Sequence, residues 1–214
     1  LHVFHLSTKE EAKLFDNQND LKNKKITSEV CIHHLSFNDA DYKTKGNFIK
    51  WNPSIKTIED QNALWDALRS DKIDVIATDH APHTFNEKNQ LYVDCPSGGP
   101  LVQHSLYIMY EHFLEKRISL EKIVEKMCHN PAILFNIKKR GFIREGFFAD
   151  LVILRKNQSW VINKNNILYK CGWSPFHGFE FKGTPVATII GGKIKMREGK
   201  ILGDPEGSPL LFNS

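Results

Sequence analysis

The sequence predicts an α/β fold, made of the C-terminal part of a (β/α)8 TIM barrel in residues 1–139 and part of a small β-sandwich-type accessory domain in residues 140–214. Predicted strands and helices alternate through the first half of the chain, as in βαβ units. A buried strand near residue 76 ends abruptly in clustered Asp and His, which is typical of the mouth of such a barrel. Beyond Arg140 the pattern changes to short strands separated by glycine turns. A complete barrel needs about 250 residues, so we expect only its closing portion here.

Apolar and β-branched runs predict the barrel strands, which we place at Leu1–Leu6, Ile26–Leu35, Phe48–Ile55 and Asp74–Asp79. The last of these contains Val75-Ile76-Ala77, the kind of run that is buried on both faces of a sheet. Pro82 cannot continue a strand ladder. We therefore expect Asp79 to be the last strand residue and His83 to turn back over the opening.

Capping residues predict the helices between these strands. Ser7 or Thr8 can cap a helix that runs to Leu21. Thr57, with Asp60 three residues later, forms a capping box, and the buried stripe of that helix is Leu64, Ala67 and Leu68. Further helices are predicted at 101–117 and, after Ser119, at 120–127, whereas 38–47 is predicted to be a surface loop.

The accessory domain is predicted from three short apolar runs, Leu151–Leu154, Trp160–Ile162 and Val186–Met196. Gly191-Gly192 and Glu198-Gly199 are turn signals next to the last of them.

Composition excludes several classes of function. The chain is 41% hydrophobic and 25% charged, with a net charge of +4 and scattered lysines, so we predict neither a nucleic-acid partner nor a membrane partner. The four cysteines are far apart and lack zinc-finger spacing, which favours reduced thiols and a cytoplasmic location. Because the chain begins at Leu1 inside a strand-like run, we expect a segment upstream of it.

The segment ATDHAPHTFNEK resembles the second signature of dihydroorotases, members of the amidohydrolase superfamily. It matches at Asp79, Ala81, Pro82, His83 and Lys88. HLSTKE, at residues 5–10, is similar to the strand-six segment of the same family. The resemblance implies a metal-dependent barrel enzyme that interconverts N-carbamoyl-L-aspartate and (S)-dihydroorotate in pyrimidine synthesis.

The resemblance also implies site residues. His5 would bind one of two divalent ions, with Zn²⁺ expected, and Asp79 would bind metal and carry a proton. His83 would bind the substrate carboxylate, Asn52 would line the pocket, and the backbone of Ser97 and Gly98 would contact substrate. The competing interpretations are a structural strand histidine for His5, a simple Asn-Pro turn at Asn52, and an ordinary loop at 97–98. We predict that His33 and His34 are structural.

The family's remaining ligands are not found in this sequence. Absent are the His-x-His of strand one, the bridging Lys or Asp of strand four, the His of strand five and the substrate-gripping Arg. His5 and Asp79 supply two ligands, fewer than the three or four that a zinc site has. We therefore expect this chain alone to be inactive and to bind metal weakly. Its expected partners are the missing N-terminal half of the barrel and, in a homo-oligomer, other copies of the protein.

Two alternatives remain open. One is a hydantoinase- or dihydropyrimidinase-like cyclic amidase acting on a neutral ring, whose relatives have a similar turn without the equivalent of His83. The other is a non-catalytic dihydroorotase-like subunit that scaffolds aspartate carbamoyltransferase. Proteins of that second kind usually lose ligands, whereas His5, Asp79 and His83 are all present.

Overall fold

The computed structural model describes residues 1–213 and contains a parallel sheet of three strands. These are β1 (His2–Val3), β2 (Thr27–Cys31) and β3 (Val75–Ala77), hydrogen-bonded in the order β1-β2-β3. His2 pairs with Thr27, and Val30 pairs with Ile76. Parallel neighbours in chain order, with helices in the connections, confirm the α/β prediction, and three strands form part of a barrel.

Eight α-helices accompany the strands within residues 1–213. They are α1 (Lys9–Ala12), α2 (Ile32–Ser36), α3 (Tyr42–Lys45), α4 (Ile58–Arg69), α5 (Phe85–Lys88), α6 (Ser105–Leu114), α7 (Leu120–Val124) and α8 (Asn130–Leu134). A π-helical turn, Glu125–His129, joins the last two. The capping box at Thr57 and Asp60 is present as predicted, and Ser119 caps α7. No helix in the described part of the chain is long and apolar enough to cross a membrane.

The second sheet is antiparallel and lies in the predicted accessory domain. Its strands are β4 (Leu151–Val161), β5 (Glu180–Ile190), β6 (Lys193–Arg197) and β7 (Lys200–Ile201), in that order. The predicted glycine turns join β5 to β6 and β6 to β7. The two runs predicted around 151–154 and 160–162 belong to one strand with an irregular register between Lys156 and Trp160. The domain boundary at 139/140 stays a prediction.

Several predicted elements are wrong. Phe48–Ile55 is not a strand: it starts in a 3₁₀ turn, Gly46–Ile49, and continues without regular structure. The predicted strand at 26–35 changes to helix at Ile32, and the predicted helix at 9–21 ends at Ala12. The predicted loop at 38–47 contains α3. Finally, β3 ends at Ala77, so Asp79 lies beyond the strand rather than at its last position.

The core holds the ends of the parallel strands in place. The stripe Leu64, Ala67 and Leu68 of α4 is buried, as predicted. In the same helix, the Trp65 Nε1–H donates to Leu35 O at 3.0 Å. Burial of a leucine side chain, such as that of Leu64 or Leu68, contributes roughly 1.5–3 kcal/mol to folding. Tight packing of α4 against α2 therefore fixes where the chain leaves β2.

Candidate active site at the ends of the parallel strands

His5 and Asp79 occupy matching positions, each two residues after a parallel strand. Because β1 and β3 run the same way, both residues lie at the same edge of the sheet. Both have left-handed backbone, with φ of 42° at His5 and 45° at Asp79. Non-glycine residues hold that conformation at a cost of about 1–3 kcal/mol, and such residues cluster at functional sites. Among residues 1–213, neither side chain has a hydrogen-bond partner, so their donor atoms are free to bind a ligand.

The end of β2 lies between these two residues, because neighbouring strands are about 4.8 Å apart and β2 is the middle strand. Cys31 is its last residue, and His33 and His34 follow in α2, where all three are buried. Burial lowers the pKa of His34 to about 4 and lowers the pKa of His33, so both imidazoles are neutral near pH 7. Burial also raises the pKa of the Cys31 thiol. The predicted strand through Leu35 would have pointed these two histidines to opposite faces, whereas they lie in a helix.

The turn that follows β3 is pinned to the loop before α6. His80 Nδ1 accepts hydrogen bonds from the backbone N–H of Leu101 at 3.0 Å and of Val102 at 3.3 Å. The Ala81 N–H donates to Gly99 O at 3.3 Å. His80 was not predicted to have a role, although it lies between Asp79 and Ala81 of the matched segment. Its ring fixes the direction in which Asp79 leaves the sheet.

His83 and Ser97 are brought together as predicted residues of one site. The His83 Nε2–H donates to Ser97 O at 3.0 Å, and the Trp173 Nε1–H donates to His83 O at 2.7 Å. The ring and the backbone of His83 are therefore both held, which leaves Nδ1 available to a ligand. Trp173 was missed as a supporting residue because it lies 90 residues further along the chain.

Gly98 allows the loop to pass close to the turn. Its φ is +116°, and a Cβ there would lie 2.5 Å from Ala81 O. Its N–H donates to Lys50 O at 2.9 Å. Only glycine meets both demands, since it has no Cβ and adopts positive φ without strain.

Gly98→Ala is therefore expected to destabilise the protein by about 1–3 kcal/mol and to displace His83. We would measure urea unfolding of the full-length protein. Gly146→Ala is the matched control for backbone strain: Gly146 also has positive φ, at +79°, but nothing lies within 4 Å of its added Cβ. Equal losses in the two variants would contradict a role for the close contact with Ala81.

Lys88, the last residue of the matched segment, is fully buried and organises the same loop. Its Nζ donates to Lys50 O at 3.2 Å and to Pro96 O at 2.9 Å. Burial lowers the pKa of Lys88. Lys88 therefore has a structural role in the motif: it fixes the loop through the carbonyls of Lys50 and Pro96.

Comparison with known proteins decides the family. Residues 2–195 match the family model described as "Amidohydrolase family". The chain belongs to the amidohydrolase family. This confirms the identification made from the residues around Asp79.

Curated relatives of this amidohydrolase chain include the dihydroorotases of Pyrococcus furiosus and Endomicrobium trichonymphae. The first is 35% identical over 98% of this chain and 48% of its own length, and the second is 37% identical over 91% and 46%. The chain thus spans about half the length of the curated relatives it matches. The predicted resemblance to the C-terminal portion of dihydroorotases is confirmed.

Solved amidohydrolase-type structures also match over about half of their length. L-hydantoinase from Arthrobacter aurescens has a TM-score of 0.87 at 28% identity, covering 95% of this chain and 46% of that one. A D-hydantoinase from Thermus sp., at 23% identity and a TM-score of 0.81, supports the fold alone. Both agree with an incomplete barrel.

Amidohydrolases are generally metal-dependent, and His5 and Asp79 fit a metal in part. An imidazole nitrogen and a carboxylate oxygen, both free of protein partners in the described residues, are donors that suit Zn²⁺. Two donors are fewer than a zinc site requires, so the fit is that of a half-site.

Within residues 1–213, the Asn52 side chain makes no hydrogen bond to the other predicted residues of this site. It is exposed and precedes Pro53 through a cis peptide bond. No hydrogen bond of its side chain occurs among residues 1–213. The role of Asn52 in the pocket stays a prediction, as do the roles of His5, Asp79, His83, Ser97 and Gly98.

Proposed function

We propose that the protein containing this chain is a dihydroorotase, which reversibly cyclises N-carbamoyl-L-aspartate to (S)-dihydroorotate. This chain would supply the C-terminal half of the active site, with the remaining ligands contributed from outside it. The observation that carries the proposal is the placement of His83. The resemblance implies that relatives acting on neutral rings lack this histidine, and here its ring is held at the loop of Ser97 and Gly98. Similarity to curated dihydroorotases over nearly the whole chain supports the same conclusion.

The residues divide the reaction between them. A bound divalent ion, proposed to be Zn²⁺, supplies an activated water and positive charge for the carbonyl oxygen. Asp79 would take up a proton from the attacking water and deliver it to the amide nitrogen that leaves on ring opening. His5 helps to hold the ion. Because a carboxylate only accepts hydrogen bonds, His83 would bind the substrate carboxylate as an imidazolium, donating Nδ1–H to it while Nε2–H stays on Ser97 O.

We also propose a cytoplasmic location for the protein. All four cysteines are free, which supports the proposed cytoplasmic location, where thiols stay reduced. The expected homo-oligomer stays a prediction.

The hydantoinase-like alternative is favoured by one observation, the high TM-score to L-hydantoinase. A substrate comparison separates the two functions. We would assay full-length protein on dihydroorotate and on dihydrouracil, a ring without the carboxylate. Dihydroorotate is expected to be the better substrate.

His83→Ala is expected to lower kcat/KM for dihydroorotate roughly 10- to 100-fold, the effect of losing a hydrogen bond to a charged group. Activity on dihydrouracil, where measurable, should change little, and His177→Ala, at an exposed histidine, is the control. Wild-type protein that turns over only the neutral ring would refute dihydroorotase activity. Equal losses on both substrates would refute carboxylate binding by His83.

A further inference from the structure

We propose that Cys31, His33 and His34 form a second zinc site, at the end of β2. One donor atom from each residue lies within 4.8 Å of those of the other two. The exposed fractions are 0% for Cys31 and His33 and 2% for His34. The proposed catalytic metal is bound by other residues, His5 and Asp79. This second site is therefore an addition to the proposed function.

The change from strand to helix brings the three side chains together. On a continuous strand, residues 33 and 34 would point to opposite faces. Instead α2 begins at Ile32, directly after Cys31, and the two imidazole centroids lie 4.2 Å apart. A sequence of Cys-x-His-His at this boundary therefore places one sulfur and two rings in one small buried volume.

His34 is already oriented as a metal ligand. Its Nε2–H donates to Pro53 O at 3.2 Å, so in the neutral ring Nδ1 carries the lone pair. That Nδ1 is buried without a hydrogen-bond partner among residues 1–213. Metal-binding histidines usually donate their other N–H to a carbonyl or carboxylate in this way, which fixes the tautomer and the ring direction.

His33 supplies an independent observation. Both of its ring nitrogens are buried and unpartnered within the described residues. Its ring stacks on Trp51, with centroids 4.4 Å apart and planes inclined by 9°. Buried polar atoms are seldom left unsatisfied, and an ion is one of the explanations for those that are. A metal would satisfy one nitrogen of each histidine.

The donor set selects the kind of metal. A thiolate with two imidazoles suits Zn²⁺ and disfavours Mg²⁺ and Ca²⁺, which prefer oxygen. Zinc bonds of about 2.0–2.3 Å place tetrahedral donors roughly 3.3–3.6 Å apart. The 4.8 Å limit is wider by about 1 Å, which side-chain rotation closes. Three protein ligands leave one coordination position for water or another group.

Cobalt substitution tests the site, because Co²⁺ bound to a thiolate absorbs in the near ultraviolet and Co²⁺ bound only to nitrogen and oxygen does not. Metal-free full-length protein, reduced, is titrated with Co²⁺. We expect a thiolate-to-cobalt band whose final intensity corresponds to one thiolate-bound Co²⁺ per chain and which is lost on adding Zn²⁺. Saturation takes more than one equivalent, because the proposed catalytic site also takes up Co²⁺. The band should be absent in Cys31→Ser and retained in Cys128→Ser, at an exposed cysteine. Asp79→Asn should also retain it, which separates this site from the proposed catalytic metal.

A second variant guards against misfolding of Cys31→Ser. His33→Asn keeps the thiol and removes one nitrogen, and cobalt should then bind at least about tenfold more weakly. Circular dichroism would confirm that both variants are folded. Absence of the band in wild-type protein, or its persistence in Cys31→Ser, would overturn the proposal and leave the three residues as buried packing. Activity is not needed as a readout, so failure of the dihydroorotase assay would leave this result independent.

Discussion

Asp79→Asn is expected to lower kcat of the full-length protein for dihydroorotate by about 10³-fold or more. The amide cannot take up the proton that a carboxylate accepts, and general acid–base catalysis alone contributes about 10²–10⁴-fold. The substitution also removes one of the two proposed metal donors, His5 and Asp79, at the strand ends. Bound catalytic metal, measured by elemental analysis, should fall with the activity.

The control for Asp79→Asn is Asp66→Asn, an aspartate of α4 whose side chain is 76% exposed. Its kcat should match that of the wild type. Turnover by Asp79→Asn within tenfold of wild type would contradict the assigned role, and the proton would then have to be carried by another group.

Asp74→Ala is expected to reduce the free energy of unfolding by about 3–5 kcal/mol, the cost of leaving one partner of a buried ion pair behind. Lys24 Nζ lies 2.7 Å from Asp74 Oδ1, with side chains only 6% and 5% exposed. Asp74 Oδ2 also accepts from the Ser28 N–H at 3.0 Å. The substitution therefore strands a buried ammonium and a buried backbone donor next to β2. Urea unfolding of the full-length protein measures the loss.

Glu206→Ala provides the comparison for Asp74→Ala. Glu206 pairs with Lys193 at 2.8 Å, but both side chains are more than half exposed, and such pairs contribute about 0–1 kcal/mol. The joint variant Lys24→Met with Asp74→Leu should recover part of the lost stability, because it removes both charges. If Asp74→Ala proved as stable as Glu206→Ala, the Lys24–Asp74 ion pair would not be what holds the strands.

The parts of the fold that local chemistry specifies were predictable. The apolar, β-branched run Val75-Ile76-Ala77 forms the predicted strand β3, with Val75 and Ile76 buried. The predicted capping box of Thr57 and Asp60 begins α4. Segment 48–55 was not predictable in this way. Trp51 and Ile55 are buried like strand residues, yet within residues 1–213 no strand pairs with the backbone there. Instead, the Lys50 carbonyl serves Gly98 and Lys88.

In the candidate site, too, the residues of a local motif were predictable and those distant in sequence were not. Asp79 and His83 were found from a short contiguous motif, and the structure places them on one pinned turn. The residues that support this site are distant in sequence. For example, the Trp173 indole N–H donates to His83 O, and no local sequence pattern predicts that contact. Cys31 was overlooked because the predicted strand was extended through residue 35. Its position beside the two histidines depends on the strand ending at that cysteine.

The pinned turn has a consequence for motion. Ala81 N–H to Gly99 O, Gly98 N–H to Lys50 O and Leu101 N–H to His80 Nδ1 tie three distant stretches of chain to one another. None can swing out without breaking the bonds of the others, so they open as one cooperative unit. Amide hydrogens at 81, 98 and 101 should exchange with solvent deuterium slowly and at a common rate. If the proposed site has a gate that admits substrate, we expect other residues to form it, because these three stretches move together.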